Sequence, residues 1–432
     1  MRNVYMSFLG LGPLDKETKT NHYTPTAYEL NGKHARETEF VQAAELEIIG
    51  PSLFDLIVIV ATETSKKTHF EKLSAELQCL GANVIDCIEI SEEMTPEDQW
   101  EWFEKILNFI EPGDVLTLDM THGFRAIPIV FSTALNFLQK ARGVILSAVY
   151  YGVFEKKRII DMKDFYVINE WAEAVSRLIE DADAGKLARV AGDASGDHVS
   201  ELNDPGLIAA FEDLTSAIRN VDVHHIAQKA DAALKRVDEK KQSASITGQL
   251  LLQLVVDKFT ALTIQPTADR LYDKNYFLLQ LEIVNLLLEH KLYMQAYTVM
   301  REFIGSIGMI EVDKADKNNN KGRNRRKTYA EVFIKMVEIE KDKWNFGEKG
   351  KDGEKTFADC CEELLPYYQK LADLNIIQDL KSFAGEMDDY RNGFSHAWTA
   401  KAKAREDIPE KGKDYYNNLK SVIDKLEKAG VI

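Results

Sequence analysis

"DVLTLDMTHGFRAIP", residues Asp114 to Pro128, holds a strand, a turn and the first residues of a helix in one short stretch. The apolar run through Val115, Leu116 and Leu118 is too short for a helix and breaks at Thr121, His122, Gly123 and Arg125. "IPIVFSTALNFLQKA" follows with helical spacing. The same alternation recurs along the first 165 residues. Strand candidates are "NVYMSFLG" (Asn3 to Gly10), "DLIVIVAT" (Asp55 to Thr62), "NVIDCIEI" (Asn83 to Ile90), "DVLTLDM" (Asp114 to Met120) and "VILSAVYYG" (Val144 to Gly152). Amphipathic helical patterns separate them, so this region is predicted to be α/β, a Rossmann-like domain with a mostly parallel, doubly wound sheet.

In such a sheet, ligands bind outside the carboxyl ends of the strands. The turn "DMTHGFRAIP" puts Thr121, His122 and Arg125 there, at a helix entrance whose amides favour a phosphate or carbonyl oxygen, and Gly123 permits close backbone approach. A cap by Thr121, with Asp119 satisfying the loop backbone, accounts for those two residues but not for His122 and Arg125. The first strand runs into "LGLGP", where Gly10 and Gly12 can open N–H groups to an anion or a base; a tight turn explains the same glycines equally well. No GxxxxGK[ST] or GxGxxG sequence follows this strand, so neither a P-loop nor a dinucleotide fingerprint is supported.

The chain has 432 residues, enough for two domains. Lys and Arg number 54 against 70 Asp and Glu, a net charge of −16, which argues against a protein that coats nucleic acid but leaves room for a local cationic slot. Cys79, Cys87, Cys360 and Cys361 have no metal-ligand spacing and suit a reduced cytoplasm. No metal or membrane is expected, since no apolar run approaches a span and the N-terminus reads as a strand.

From about Asp164 the pattern becomes helical throughout, which predicts a second, all-α domain over 166–432. "KADKNNNKGRNRRK" (314–327) and "KDKWNFGEKGKDGEKT" (341–356) read as exposed loops or disordered insertions. Late in this half stands "YRNGFSHAW", Tyr390 to Trp398. If it is helical, Asn392 and His396 share a face and Arg391 lies about 140° round from His396, within reach of a common anion. Histidine changes charge near neutrality and can serve the ribose 2′-hydroxyl and leaving 5′-oxygen of RNA. Arginine offers a permanent fork to the phosphorane, and Asn392 can orient the imidazole or donate to an oxygen. The plainer reading pairs Arg391 with Asp388 or Asp389 and packs His396 under Trp398.

The THGFR turn together with "SFLGLGP" resembles the CRISPR-associated Rossmann-fold (CARF) domain of type III accessory proteins, over about residues 1–165. The resemblance implies a homodimer, or a higher oligomer, holding a cyclic oligoadenylate. Its contacts would be Gly10, Leu11, Gly12, Thr62, Asp119, Thr121, His122, Gly123 and Arg125. A two-fold axis suits a ring with an even number of repeats, which favours cyclic tetra-adenylate, with cyclic hexa-adenylate next. "RNGFSH" at the end of a helical domain resembles the CARF–HEPN ribonucleases, and implies Arg391, Asn392 and His396 as catalytic residues. The implied activity is metal-independent cleavage of single-stranded RNA to a 2′,3′-cyclic phosphate, with no cofactor beyond the activator. Alternatives are a regulator without nuclease activity and a CARF domain that degrades its own messenger.

Overall fold

The structure is a computed structural model that describes the chain except residues 18, 94, 123–126, 194–200, 267–271, 313–319, 350–355 and 400–405; of 127–129, 193 and 320–325 only the backbone is described. It divides into two compact units, Met1–Asn169 and Glu170–Ile432.

The first unit contains β1 (Asn3–Leu9), β2 (Glu29–Leu30), β3 (Lys33–His34), β4 (Leu56–Thr62), β5 (Ile85–Ile90), β6 (Val115–Asp119), β7 (Ile145–Val153) and β8 (Arg158–Asp161). They form one sheet in the order β3-β2-β8-β7-β6-β1-β4-β5. The five predicted strands are its parallel centre, β5-β4-β1-β6-β7. Numbered among themselves along the chain they run 3-2-1-4-5, so the order reverses between β1 and β6 and opens a crevice at their carboxyl ends.

β1, β4 and β6 read as nearly unbroken apolar runs because both faces of the sheet are covered there, whereas β5 and β7 mix exposed and buried positions. Val4, Met6 and Phe8 pack with Trp102, Phe131 and Leu135 on one side. On the other, Tyr5 and Leu9 pack with Phe40, Leu46, Leu73 and Leu77. The small strands were not legible as periodic runs. β2 and β3 are joined by Asn31 and Gly32, with φ of 51° and 79°, as a two-residue hairpin turn with both central residues left-handed requires. β8 returns antiparallel along β7 through the turn Phe154–Lys156.

The second unit is helical among its described residues. Helices Lys274–Glu289, Tyr293–Gly308, Asn320–Glu338, Phe357–Asp373, Ile376–Ser395 and Ile408–Lys428 pack against one another. Of the polar stretch 314–327, residues 314–319 lie outside the described residues, and the loop reading is corrected for the last eight, from Asn320, which belong to the helix Asn320–Glu338. Arg326 there donates to Glu302 Oε2 at 2.7 Å and to Ser306 Oγ at 3.0 Å, so the positive charge that suggested a solvated loop is partly spent inside the bundle. In the second stretch, Lys341–Lys343 forms a short 3₁₀ turn, and 350–355 lie outside the described residues.

Gly305 and Gly308 let the helix Tyr293–Gly308 approach Asn320–Glu338 closely. A Cβ on Gly308 would stand 2.5 Å from the Phe333 Cβ, and one on Gly305 would stand 2.8 Å from the Ala330 Cβ. Gly308→Ala is therefore expected to destabilise the protein by about 1–3 kcal/mol through overpacking, despite alanine's better helix propensity, read as a lowered midpoint in thermal or urea unfolding.

Candidate functional site

At the switch point, Asp119 ends β6 and is fully buried. Its Oδ2 accepts from the Ser7 hydroxyl of β1 at 2.6 Å, and its Oδ1 accepts from both the backbone N–H (2.9 Å) and the hydroxyl of Thr121. The Thr121 hydroxyl in turn accepts from the Gly152 N–H of β7 at 2.7 Å. Burial raises the Asp119 carboxyl above its ordinary range, against these hydrogen bonds, which act to lower it. Asp119 and Thr121 thus bind β1, β6 and β7 together, and their polar groups are committed to the scaffold. The following helix is described from Ile127.

Thr62, at the end of β4, is also a structural cap: its hydroxyl accepts from the Ser65 N–H and it is buried. The helix it opens passes through a π-helical segment, Lys66–Phe70, before continuing as Glu71–Cys79. His69, on that segment, donates from Nε2 to the Leu11 carbonyl at 2.9 Å. Gly12 adopts φ 72°, and a Cβ there would meet the His22 carbonyl oxygen at 3.0 Å and the Tyr23 ring at 3.2 Å. The Tyr23 ring lies 5.2 Å from His69 and 4.6 Å from His122. Leu11, Gly12 and His122 are thereby brought together, with Tyr23 and His69 as members that the sequence did not single out. Gly123 and Arg125 lie outside the described residues. A cavity of about 480 Å³ reaching Asn3, Asn31 and Lys33, toward the amino ends of β1 and β6, includes none of the predicted contacts.

In the second unit, Arg391 and Asn392 occupy the last turns of the helix Ile376–Ser395, and His396 is its C-cap rather than a helical residue. The chain then turns left-handed at Ala397 (φ 47°) and Trp398 (φ 57°), with Trp398 N–H bonded to the Gly393 carbonyl at 2.8 Å. Gly393 is needed because the Trp398 ring lies against the place its Cβ would take. Two features of the plainer sequence reading are corrected. His396 is exposed, while Trp398 packs edge-on against Tyr390 and Phe394. Asp388, one of the two partners that reading offered Arg391, pairs with Arg301. Arg391 donates to Asn392 Oδ1 at 3.1 Å, and Asn392 Nδ2 donates to Asp388 Oδ2 at 2.9 Å. Close by, burial and then Asp388 push the Glu338 carboxyl up to about 7. Arg301 was legible only as a lone cation in the apolar run "YMQAYTVMREFIGSIG", which demands a buried acceptor.

No family model matches the chain. A CRISPR-associated protein of Methanocaldococcus jannaschii, MJ1674, is 25% identical over 202 residues, which cover 40% of this chain and 32% of that protein. The chain is related to a CRISPR-associated protein. The match spans about a third of the relative's length, and it bears out the CRISPR resemblance read from the sequence. Among solved structures, Enterococcus italicus Csm6 bound to cyclic hexa-2'-fluoro-hexa-dAMP aligns with a TM-score of 0.38 and 12% identity, over 99% of this chain and 95% of that one. Among the described residues, no helix is long and apolar enough to cross a membrane, and no group of three or more His, Cys, Asp or Glu is placed to hold a metal.

Burial holds the His122 imidazole down at about 4, with His69 acting in the same direction. Between that value and the ordinary 6.5, the unfolded chain binds a proton that the folded one does not. This contribution to stability is complete above 6.5 and is lost as pH falls toward 4. Urea unfolding at about pH 7 and about pH 5 is expected to show a smaller acid-induced loss of stability in His122→Gln than in the unsubstituted protein.

Proposed function

We propose that the chain is a ribonuclease of CRISPR defence, gated by a cyclic oligoadenylate, with cyclic tetra-adenylate as the favoured ring. The observation that carries this reading is the placement of Arg391 and Asn392 in the final turns of one helix with His396 exposed immediately beyond it. Two such motifs brought together across a dimer axis would form one cationic slot. There His396 would take the proton from a ribose 2′-hydroxyl, or give one to the leaving oxygen. Arg391 would stabilise the charge that builds on the phosphorane. The 2′-oxygen bonds to phosphorus as the bond to the 5′-oxygen breaks, giving a 2′,3′-cyclic phosphate and a free 5′-hydroxyl without a metal.

The ring would bind at the carboxyl ends of β1 and β6, where Gly10, Leu11, Gly12 and His122 meet Tyr23. Asp119, Thr121 and Thr62 hold this mouth in shape through their internal hydrogen bonds, and Gly123 and Arg125 complete the predicted contacts. Activation requires the ring to bind one dimer arrangement more tightly than the other, since equal affinity shifts nothing. A cytoplasmic homodimer or higher oligomer follows from the same reading.

A regulator without nuclease activity is the second reading. It is favoured by the Asn392 amide, which is held by Asp388 and Arg391 within its own helix.

Cleavage of a fluorescent single-stranded RNA in EDTA, with cyclic tri-, tetra- or hexa-adenylate added separately, tests both readings. One ring is expected to switch cleavage on. His396→Ala and Arg391→Ala should each lower the rate by about 100-fold or more while ring binding persists. Undiminished cleavage in both variants would sink the site, and ring binding with no cleavage by the unsubstituted protein would select the regulator.

A further inference from the structure

Arg301 and Asp388 have no part in the proposed chemistry, yet they form a continuous chain of hydrogen bonds that ends on Arg391. Arg301 Nε donates to Asp388 Oδ1 at 2.6 Å, and its NH2 donates to Glu331 Oε2 at 3.0 Å. Asp388 Oδ2 accepts from Asn392 Nδ2 at 2.9 Å, and Asn392 Oδ1 accepts from Arg391 NH1 at 3.1 Å. The chain joins the helices Tyr293–Gly308, Asn320–Glu338 and Ile376–Ser395. The Arg301 side chain is 14% exposed and that of Asp388 is 22% exposed, so the pair is largely withdrawn from water.

One acceptor, Asp388, and one donor, Arg391, together fix the direction of the amide. An ionised carboxylate only accepts, so a flipped Asn392 would set its carbonyl oxygen against Asp388 and its NH2 against the Arg391 guanidinium. With Asp388 anchored by Arg301, a single orientation remains, and in it the Asn392 carbonyl steers Arg391. Asp388 stands four residues before Asn392, on the same helix face, as this contact requires.

We propose that Arg301 and Asp388 are positioning residues for the motif, holding the Asn392 amide so that its carbonyl aims the Arg391 guanidinium. In this arrangement Asn392 acts through Arg391 rather than on the reacting phosphate. The inference rests on the ribonuclease reading above and deepens it. An asparagine at 388 would offer one acceptor and one donor, so it could serve Asn392 or Arg301 but not both.

The test is steady-state RNA cleavage by the full chain with its activating ring. Asp388→Ala and Asp388→Asn should each lower kcat by about ten-fold or more, with KM within about three-fold, because aim rather than substrate affinity is lost. Asp388→Glu, which keeps two acceptors, should recover most of the rate. A folded Asp388→Ala protein with kcat within about two-fold of the unsubstituted enzyme, or with its loss confined to KM, overturns the proposal. Where the aspartate variants do not fold, Arg301→Lys carries the same test: it keeps the charge but replaces the fork with one ammonium. The same loss of kcat is expected, and full activity overturns the proposal. If the unsubstituted protein is silent with every ring while His396→Ala is equally silent, the ribonuclease reading has failed and this inference falls with it.

Discussion

The buried carboxylate of Asp119 is the interaction on which the first unit depends. It accepts from Ser7 of β1 and, through Thr121, reaches Gly152 of β7, so one side chain fastens three neighbouring strand ends at the point where the sheet reverses its order. An unpaired carboxyl at full burial would be strongly unfavourable, and each of these donors therefore has to stay where it is. Gly152 is held just as closely: a Cβ there would stand 2.6 Å from Val41 Cγ2, at the start of the helix Val41–Ile49. Below the mouth, this polar network is set among packed apolar faces.

A comparable arrangement organises the helical unit around Arg301. Its guanidinium draws Asp388 and Glu331 inward from two other helices, and the small residues Gly305 and Gly308 on its own helix allow one of those helices to come near. Buried charge of this kind contributes little net stability, since desolvation offsets most of the attraction, but removing one partner leaves the other stranded. What it supplies is a fixed geometry at the end of the helix carrying Arg391 and Asn392.

Among the five central strands, β1, β4 and β6 were legible because burial on both faces leaves an apolar run, and β5 and β7 through short β-branched stretches between helical patterns. The α character of the second half was legible through its three-to-four spacing. What escaped had physical reasons. Two-residue strands such as Glu29–Leu30 and Lys33–His34 carry no period, although Asn31-Gly32 between them is a turn signal in its own right. The helix Asn320–Glu338 begins in a polar, cationic stretch whose composition masks it, since tertiary partners such as Glu302 for Arg326 are not visible in local sequence. Of the candidate sites, the residue types were legible and their commitments were not. Thr62, Asp119 and Thr121 spend their hydrogen bonds on the scaffold, while Tyr23 and His69 join the mouth from segments with no motif.

The π-helical segment Lys66–Phe70 sets the phase of the helix that follows β4. One extra residue in a turn advances every later side chain by roughly 100° about the axis. Before the segment, the chain is tied to Thr62 and Ser65; within it, His69 faces Leu11; after it, Leu73 and Leu77 face the core. An unbroken α-helix would present Leu73 and Leu77 at a different angle relative to the Thr62 cap. The inserted residue works as a vernier, setting the angular offset between the capped first turn and the core-facing turns that follow it.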